Sequence, residues 1–283
     1  MAVMAPKVER MSAQAKPAFD GFRREVTFFR LLQLPTPATK GLLVVLGAVF
    51  VASYLLGAVV VTRRFGELGD AMAPAILFTA KINSRIDSGE WWRLLTNTLQ
   101  HGSWLHFGLN AYGLFLLGAL VERLVGPRRF LLIYALAGVA GALASYWFNP
   151  MASVGASGAL FGVFGAAVVL GFKYRKQLPP RVAKALSTGM LPWLALSLAF
   201  GLLPMIDNAA HFGGLAVGSL AAVVLGSPLQ TETTRTRRIL LDVAVGVLAL
   251  VALVGLLQSV RFGATCLASE AAWESCQGIA MSE

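Results

Sequence analysis

Between Phe130 and Phe172 the chain carries no Asp, Glu, Lys or Arg. These 43 residues are about twice what one helix needs to cross a hydrocarbon core of roughly 30 Å, at ~1.5 Å of rise per residue. A break inside the run is therefore required, and Asn149-Pro150, followed by small residues, supplies it. Two apolar helices hinged at Asn149 are the first constraint on the fold, and other stretches repeat the pattern. Gly41 to Thr62 is a further uncharged run of 22 residues. With 57% hydrophobic and 13% charged residues, the 283-residue chain has more apolar surface than one water-soluble core can hide. The reading is an all-α, polytopic transmembrane helical bundle.

Seven spans are expected: Gly41–Thr62, Trp104–Val121, one from near Phe130 to the Asn149 break, Gly155–Phe172, Ala185–Leu203, Ala209–Leu225 and Leu240–Val260. Pro192 falls in the first turns of the fifth, and a polar corner at Asp207-Asn208 precedes the sixth. The chain divides into a tail (1–40), a six-span core (41–226), a linker with an extra span (227–262) and a second tail (263–283). Charged residues throughout Met1 to Lys40 leave no signal-peptide h-region, and Phe19 to Leu34 is readable as an amphipathic surface helix stopped by Pro35 and Pro37. The net charge of +10 lies in short connections without an aromatic-interleaved basic domain, which argues against a nucleic-acid partner.

The same charges predict orientation. The N-terminal tail and the connections Glu122–Arg129, Lys173–Lys184 and Gln230–Arg238 are rich in Lys and Arg and read as cytoplasmic. The long Arg63–Ser103 loop, the Asn149 turn, the Asp207 corner and the C-terminal tail then lie outside. In that loop Trp91, Trp92 and Arg93 are expected at the interface, where arginine reaches phosphates or backbone carbonyls. Cys266 and Cys276, in the external tail, either pair in an oxidising compartment or stay as free thiols.

This topology gathers the polar residues of the spans. His106 and Asn110, four apart on one face of the second span, lie with Ser157 and His211 within about two turns of the outer surface. Such groups cost free energy in hydrocarbon unless they face a partner or a wet cavity, so the cluster is a candidate site. Gly158 and Gly162 flank Ser157, and Gly214 and Gly218 share a face with His211, so the fourth and sixth spans are expected to touch closely. A serine hydroxyl needs a base, and a neutral imidazole suits the task near neutral pH. Phe161, one turn below Ser157, is placed to pack on the His211 ring. Free N–H groups at the start of the fourth span, with His106 and Asn110, are candidate oxyanion donors. No Asp or Glu is placed to complete a third member, so a dyad is expected, and its chemistry requires neither metal nor cofactor. Neither His-Glu-x-x-His nor Gly-x-Ser-x-Gly occurs, since Ala159 stands where the latter needs glycine.

From Glu90 to Leu225 these motifs resemble the rhomboid intramembrane serine proteases. The likeness is carried by Trp92-Arg93, His106 with Asn110, Gly155-Ala156-Ser157-Gly158, and Ala210-His211 followed by Gly214 and Gly218. Gly118, Glu122, Gly126 and Arg129-Phe130 carry it too. The resemblance implies a six-span catalytic core with an extra C-terminal span, cleaving transmembrane protein substrates within the lipid bilayer. It makes Ser157 the nucleophile and His211 the general base, with His106, Asn110 and the Ser157 N–H holding the oxyanion. It places His101 near the cavity mouth, whereas read alone His101 is equally an exposed histidine at the membrane surface. Trp92-Arg93 would anchor the loop. The two tails lie outside the shared core, and a bacterial inner membrane is the preferred location. Oligomeric state and substrate identity are not readable. The rival reading is a catalytically inactive rhomboid-like protein that binds client transmembrane helices.

Overall fold

The computed structural model describes residues 15–65, 78–203, 206–226 and 234–281. Parts of the expected N-terminal tail (1–14), long loop (66–77) and last connection (227–233) lie outside the described residues. Those described are helical, apart from turns and an isolated antiparallel bridge between Lys81 and Ser153.

Helix α1 (Ala15–Leu32) is amphipathic, and α2 (Pro37–Phe65) opens on a proline, whose fixed φ and missing N–H suit a first helical position. The loop after α2 contains the short helices α3 (Asn83–Asp87) and α4 (Arg93–Thr96). Helix α5 (Trp104–Val125) passes through one π-turn at Leu114–Gly118. Then follow α6 (Pro127–Phe148), α7 (Ser157–Lys173), α8 (Pro180–Leu186), α9 (Leu191–Phe200), α10 (Asn208–Leu225), α11 (Arg235–Leu267) and α12 (Glu270–Met281). Among the described residues five stretches are long and apolar enough to cross a membrane: one within Asp20–Ala58, and those of α5, α6, α10 and α11. The bent pair Pro180–Leu186 and Thr188–Phe200 makes a sixth if taken as one broken span, and α7 is a shorter apolar helix.

The centre of the bundle is α7 packed against α10 and α6. Gly158, Ala159, Gly162, Val163 and Ala166 of α7 are buried, as are Gly214, Gly218 and Ala222 of α10. Large apolar side chains instead point outwards, among them Leu109 and Phe115 on α5 and Val243, Leu250 and Leu257 on α11. Small residues inside and large ones outside is the pattern of helices that face lipid. Helix α9 differs from the rest in having no buried residue.

One end of the bundle is closed by a carboxylate. Glu122, on the last turns of α5, accepts from the Ala38 and Thr39 amides at 3.0 and 2.8 Å and from the Thr39 hydroxyl at 2.7 Å, so it caps the otherwise unpaired first turn of α2. The neighbouring motif residues serve that junction. Gly118 lies under Phe130 and Thr39, Gly126 makes the turn into α6 at φ 86°, and Arg129 donates to the Val125 carbonyl. At this same end Lys173 Nζ donates to the Val223 and Gly226 carbonyls at 2.7 and 2.9 Å, holding the last turn of α10 against α7.

Three sequence expectations are corrected. The fifth span is interrupted: Ser187, at φ −88° and ψ −97°, breaks the helix, so only Leu191–Phe200 follows Thr188-Gly189 as regular α-helix. The seventh is longer than 240–260 because polar residues at both ends continue the helix, from Arg235 to Leu267. The C-terminal segment is no free tail. Helix α12 folds back on α11, the Cys266–Cys276 disulfide joins them, and Trp273 packs with both cysteines against Phe78, Ala80 and Ile82 of the long loop. Along α11, Gly255 meets Trp92 and Thr96, and Gly263 meets Phe78, so this helix buttresses the loop as well as α6.

Glu122→Ala is expected to lower the unfolding free energy in detergent by about 1 to 3 kcal/mol, because three donors, two of them buried, lose their acceptor. Glu122→Gln, which keeps one, should be milder. An unchanged thermal midpoint for the alanine variant would show that the cap is not a stabilising contact.

Candidate active site

Ser157 is the first residue of α7, and what precedes it decides where its hydroxyl points. Gly155 has φ 133°, a backbone conformation that side chains rarely adopt, and a Cβ there would stand 2.7 Å from the His106 ring. Only glycine lets this loop turn into α7 beneath that ring. The loop is held by Gly155 N–H to the Asn97 carbonyl at 2.9 Å and by Ala156 N–H to His101 Nε2 at 3.5 Å.

His211 lies in the first turn of α10, and its Nε2 is 3.0 Å from Ser157 Oγ. The close approach comes from the glycines: a Cβ on Gly214 would fall on the Gly158 carbonyl oxygen, and one on Gly218 would fall on the Gly162 backbone. The Phe161 ring stacks on the His211 ring with centroids 4.1 Å apart and planes 14° apart, fixing the imidazole edge toward the hydroxyl. No hydrogen-bond partner of His211 Nδ1 is found among the described residues. With Nε2 free of its proton, the tautomer that the chemistry requires, the pair can pass the serine proton to the imidazole.

All three histidines of the chain meet here. His106 sits over Gly155, and the His101 and His106 rings meet edge to face, 5.2 Å between centroids. His101 is fully buried, which removes the reading of an exposed surface histidine. Burial and the adjacent His106 push its pKa down to about 3, so at neutral pH it is an uncharged acceptor for the Ala156 amide. Asn110 is buried beneath His106 and donates one amide hydrogen to the His106 carbonyl at 2.9 Å, which leaves its second donor for another acceptor.

Trp92 and Arg93 stand apart from the pair. Arg93 is wholly buried rather than set among headgroups, with Nε 2.6 Å from Glu90 Oε2, Nη1 2.9 Å from the Ala80 carbonyl, and the Phe262 ring of α11 beneath it. Trp92 covers Gly255. Both lock the loop to α11.

Sequence reasoning missed Asp207, which it treated as a polar corner. Asp207 is the N-cap of the His211 helix, its Oδ1 accepting from Ala210 N–H at 3.1 Å. An Asp just before an apolar run was the available signal. Burial alone would raise its pKa, but the hydrogen bond from Ser145, the polar Ser153 and Asn149 side chains and the Ala210 amide outweigh it and hold the carboxyl below its ordinary range. Lys81 was missed too, and a lone lysine in a loop gave no signal.

The fold and site together define a multi-pass helical membrane protein in which a serine and a histidine are paired between two crossing helices. The Rhomboid domain family model matches residues 88–228. Rhomboid protease GluP of Bacillus subtilis is 42% identical over 154 residues, which is 54% of this chain and 30% of that protein. YdcA of the same species is 36% identical over 141 residues, covering 49% and 69% of the two chains. For Rhomboid protease AarA of Providencia stuartii the identity is 32% over 170 residues, 52% and 60%. The match thus spans 30% of GluP and 60% of AarA, the rest of each lying beyond it. The chain belongs to the rhomboid family.

Gly214→Val should force α7 and α10 apart, abolish the Ser157–His211 contact and cost about 1 to 3 kcal/mol or more by overpacking. Thermal unfolding together with labelling by a serine-reactive fluorophosphonate would measure both. Asp207 stabilises the fold while ionised, so its contribution is complete above the ordinary carboxylate range and fades as pH falls through it. The Asp207→Asn variant should therefore show a flatter stability profile between ~pH 5 and ~pH 2.

Proposed function

We propose that this protein is an intramembrane serine endopeptidase that cleaves transmembrane segments of other membrane proteins. The observation that carries the reading is the 3.0 Å approach of His211 Nε2 to Ser157 Oγ at the mouth of the glycine-packed α7–α10 pair. His211 removes the hydroxyl proton as Oγ attacks the scissile carbonyl carbon. The oxyanion is held by the Ser157 N–H at the start of α7, with His106 and the second Asn110 donor beside it. The tetrahedral intermediate collapses as His211 gives the proton to the leaving amine, and water, activated by the same imidazole, then hydrolyses the acyl ester and frees the serine.

A peptide bond in a helix is shielded by its own hydrogen bonds, so substrates should carry helix-weakening Gly, Pro, Ser or Ala at the cut. Entry past α9 fits the lack of buried residues there. The proposed topology counts the broken α8–α9 pair and the short α7 as spans, giving a six-span core and α11 as a seventh. It puts the basic connections in the cytoplasm and the serine–histidine pair near the outer face of a bacterial cell membrane. GluP and AarA are both named as rhomboid proteases, which supports the chemistry.

The test is cleavage of a reporter with a single helix-weakened transmembrane segment by purified protein in detergent. Ser157→Ala should abolish cleavage and His211→Ala should nearly do so. Asn110→Ala should lower kcat by about 10²- to 10³-fold, the scale for losing one oxyanion donor, with the bundle still folded. Wild-type turnover by Ser157→Ala would remove the mechanism. Reporter binding without cleavage by a wild type that no fluorophosphonate labels would favour an inactive, client-binding protein.

A further inference from the structure

Residues 149–156 carry the chain from the end of α6 to Ser157 without a helix of their own, so the backbone groups they bury must find partners elsewhere. Lys81, a fully buried residue of the long loop, supplies several of them. Its Nζ donates to the Asn149 and Met151 carbonyls at 2.6 and 2.8 Å and to Asn83 Oδ1 at 2.9 Å, three acceptors for the three protons of an ammonium. Its own amide and carbonyl pair with Ser153 at 2.9 and 3.0 Å. One residue thus grips positions 149, 151 and 153. The contacts that follow along the segment, Gly155 to Asn97 and Ala156 to His101, are single bonds.

We infer that Lys81 is a positioning residue for Ser157: its ammonium and its backbone fix the course of the 149–153 segment, and with it the place from which the Ser157 hydroxyl meets His211. The inference rests on the proposed Ser157–His211 chemistry.

The grip is anchored on the side away from the serine. Arg93 Nη1 donates to the Ala80 carbonyl at 2.9 Å, and the Thr96 hydroxyl to the Thr79 carbonyl at 3.3 Å. Phe78 lies against Gly263 of α11, and Phe78, Ala80 and Ile82 pack with Trp273 and the bridged cysteines. Lys81 is therefore set in the stretch of loop that α4, α11 and α12 hold. On the other side the path to the hydroxyl is short. Val154, Gly155 and Ala156 alone separate Ser153 from Ser157, a reach of at most ~14 Å even fully extended. Burying an ammonium costs free energy that an apolar side chain of the same size would not, and charge-assisted bonds to carbonyls offset that cost while fixing where the carbonyls lie. Lys81 is not itself a base for the serine. Its protons go to Asn83 and two carbonyls, whereas Ser157 Oγ is met by His211 Nε2.

The experiment uses full-length protein in detergent, and a fluorophosphonate probe reports activation of Ser157 without a protein substrate. Lys81→Met keeps the unbranched apolar stem and removes the donors. In the folded fraction it should label about tenfold to a hundredfold more slowly than wild type, the scale set by small misplacements of reacting groups. Reporter kcat should fall in proportion while KM stays within about twofold, because a fully buried ammonium does not touch substrate. Glu122→Ala, at the opposite end of the bundle, is the control for stability alone. Its folded fraction should label at the wild-type rate although its melting temperature is lowered.

Folded Lys81→Met that labels like wild type, with only its melting temperature lowered, would overturn the inference and leave the dyad reading intact. Equal slowing by Glu122→Ala would overturn it too, since the effect would then be one of general loosening. Wild type that does not label would overturn both readings. If Lys81→Met does not fold, Lys81→Gln keeps an amide donor but, one bond shorter than lysine, draws it back from the Asn149 and Met151 carbonyls. Slow labelling of folded Lys81→Gln then supports the inference, and labelling at the wild-type rate overturns it.

Discussion

The proposed chemistry depends on a close backbone approach within the bundle. Gly158 and Gly162 of α7 meet Gly214 and Gly218 of α10 without intervening side chains, and this contact carries two polar residues from distant parts of the sequence to 3.0 Å. Lipid gives helices little hydrophobic reason to associate, so van der Waals fit between small residues and a few hydrogen bonds must supply it. The polar contacts act at the two ends of that seam. Lys173 closes one end on the α10 carbonyls, and Asp207 closes the other by capping α10 and accepting from Ser145 of α6.

Much of this was legible in the sequence because membranes make polarity expensive. His106, Asn110, Ser157 and His211 stood out against apolar runs, and the glycine spacing on two spans indicated which helices would touch. Their motifs, from Glu90 to Leu225, fall inside the matched family region of 88–228. Phe161, one turn from Ser157, was expected to pack on the His211 ring, and the two rings stack. Residues whose role depends on loop geometry were not legible. Lys81 and Ser153 meet only once the long loop has folded back on the bundle, and no periodicity reports that. Asp207 was read only as a polar corner and not as the α10 N-cap that also accepts from Ser145 of α6, a donor brought to it by the fold. The break at Ser187 and the folded-back α12 escaped for the same reason: hydropathy shows where a helix can lie in lipid, not where the backbone turns.

The two motif clusters divide the labour of the fold. Gly118, Glu122, Gly126 and Arg129-Phe130 assemble the junction of α2, α5 and α6, far from the serine. Trp92 and Arg93 bind the loop to α11, and the Cys266–Cys276 bridge holds α12 over Phe78 and Ile82 of the same loop. The serine–histidine end is thereby framed on one side by these contacts, whereas α9 carries no buried residue.

The shortness of α7 has its own consequence. Seventeen residues make a helix about 25 Å long, some 5 Å less than a typical hydrocarbon core. In the proposed topology, with its Lys173 end at one interface, the Ser157 end would lie below the level of the opposite headgroups. The surrounding bilayer would then thin or the space above the serine would fill with water, at a cost of fractions of a kcal/mol per Å of mismatch. In that topology bilayer thickness would be coupled to how wet this end of the bundle is, and acyl chain length would become a physical variable of the site.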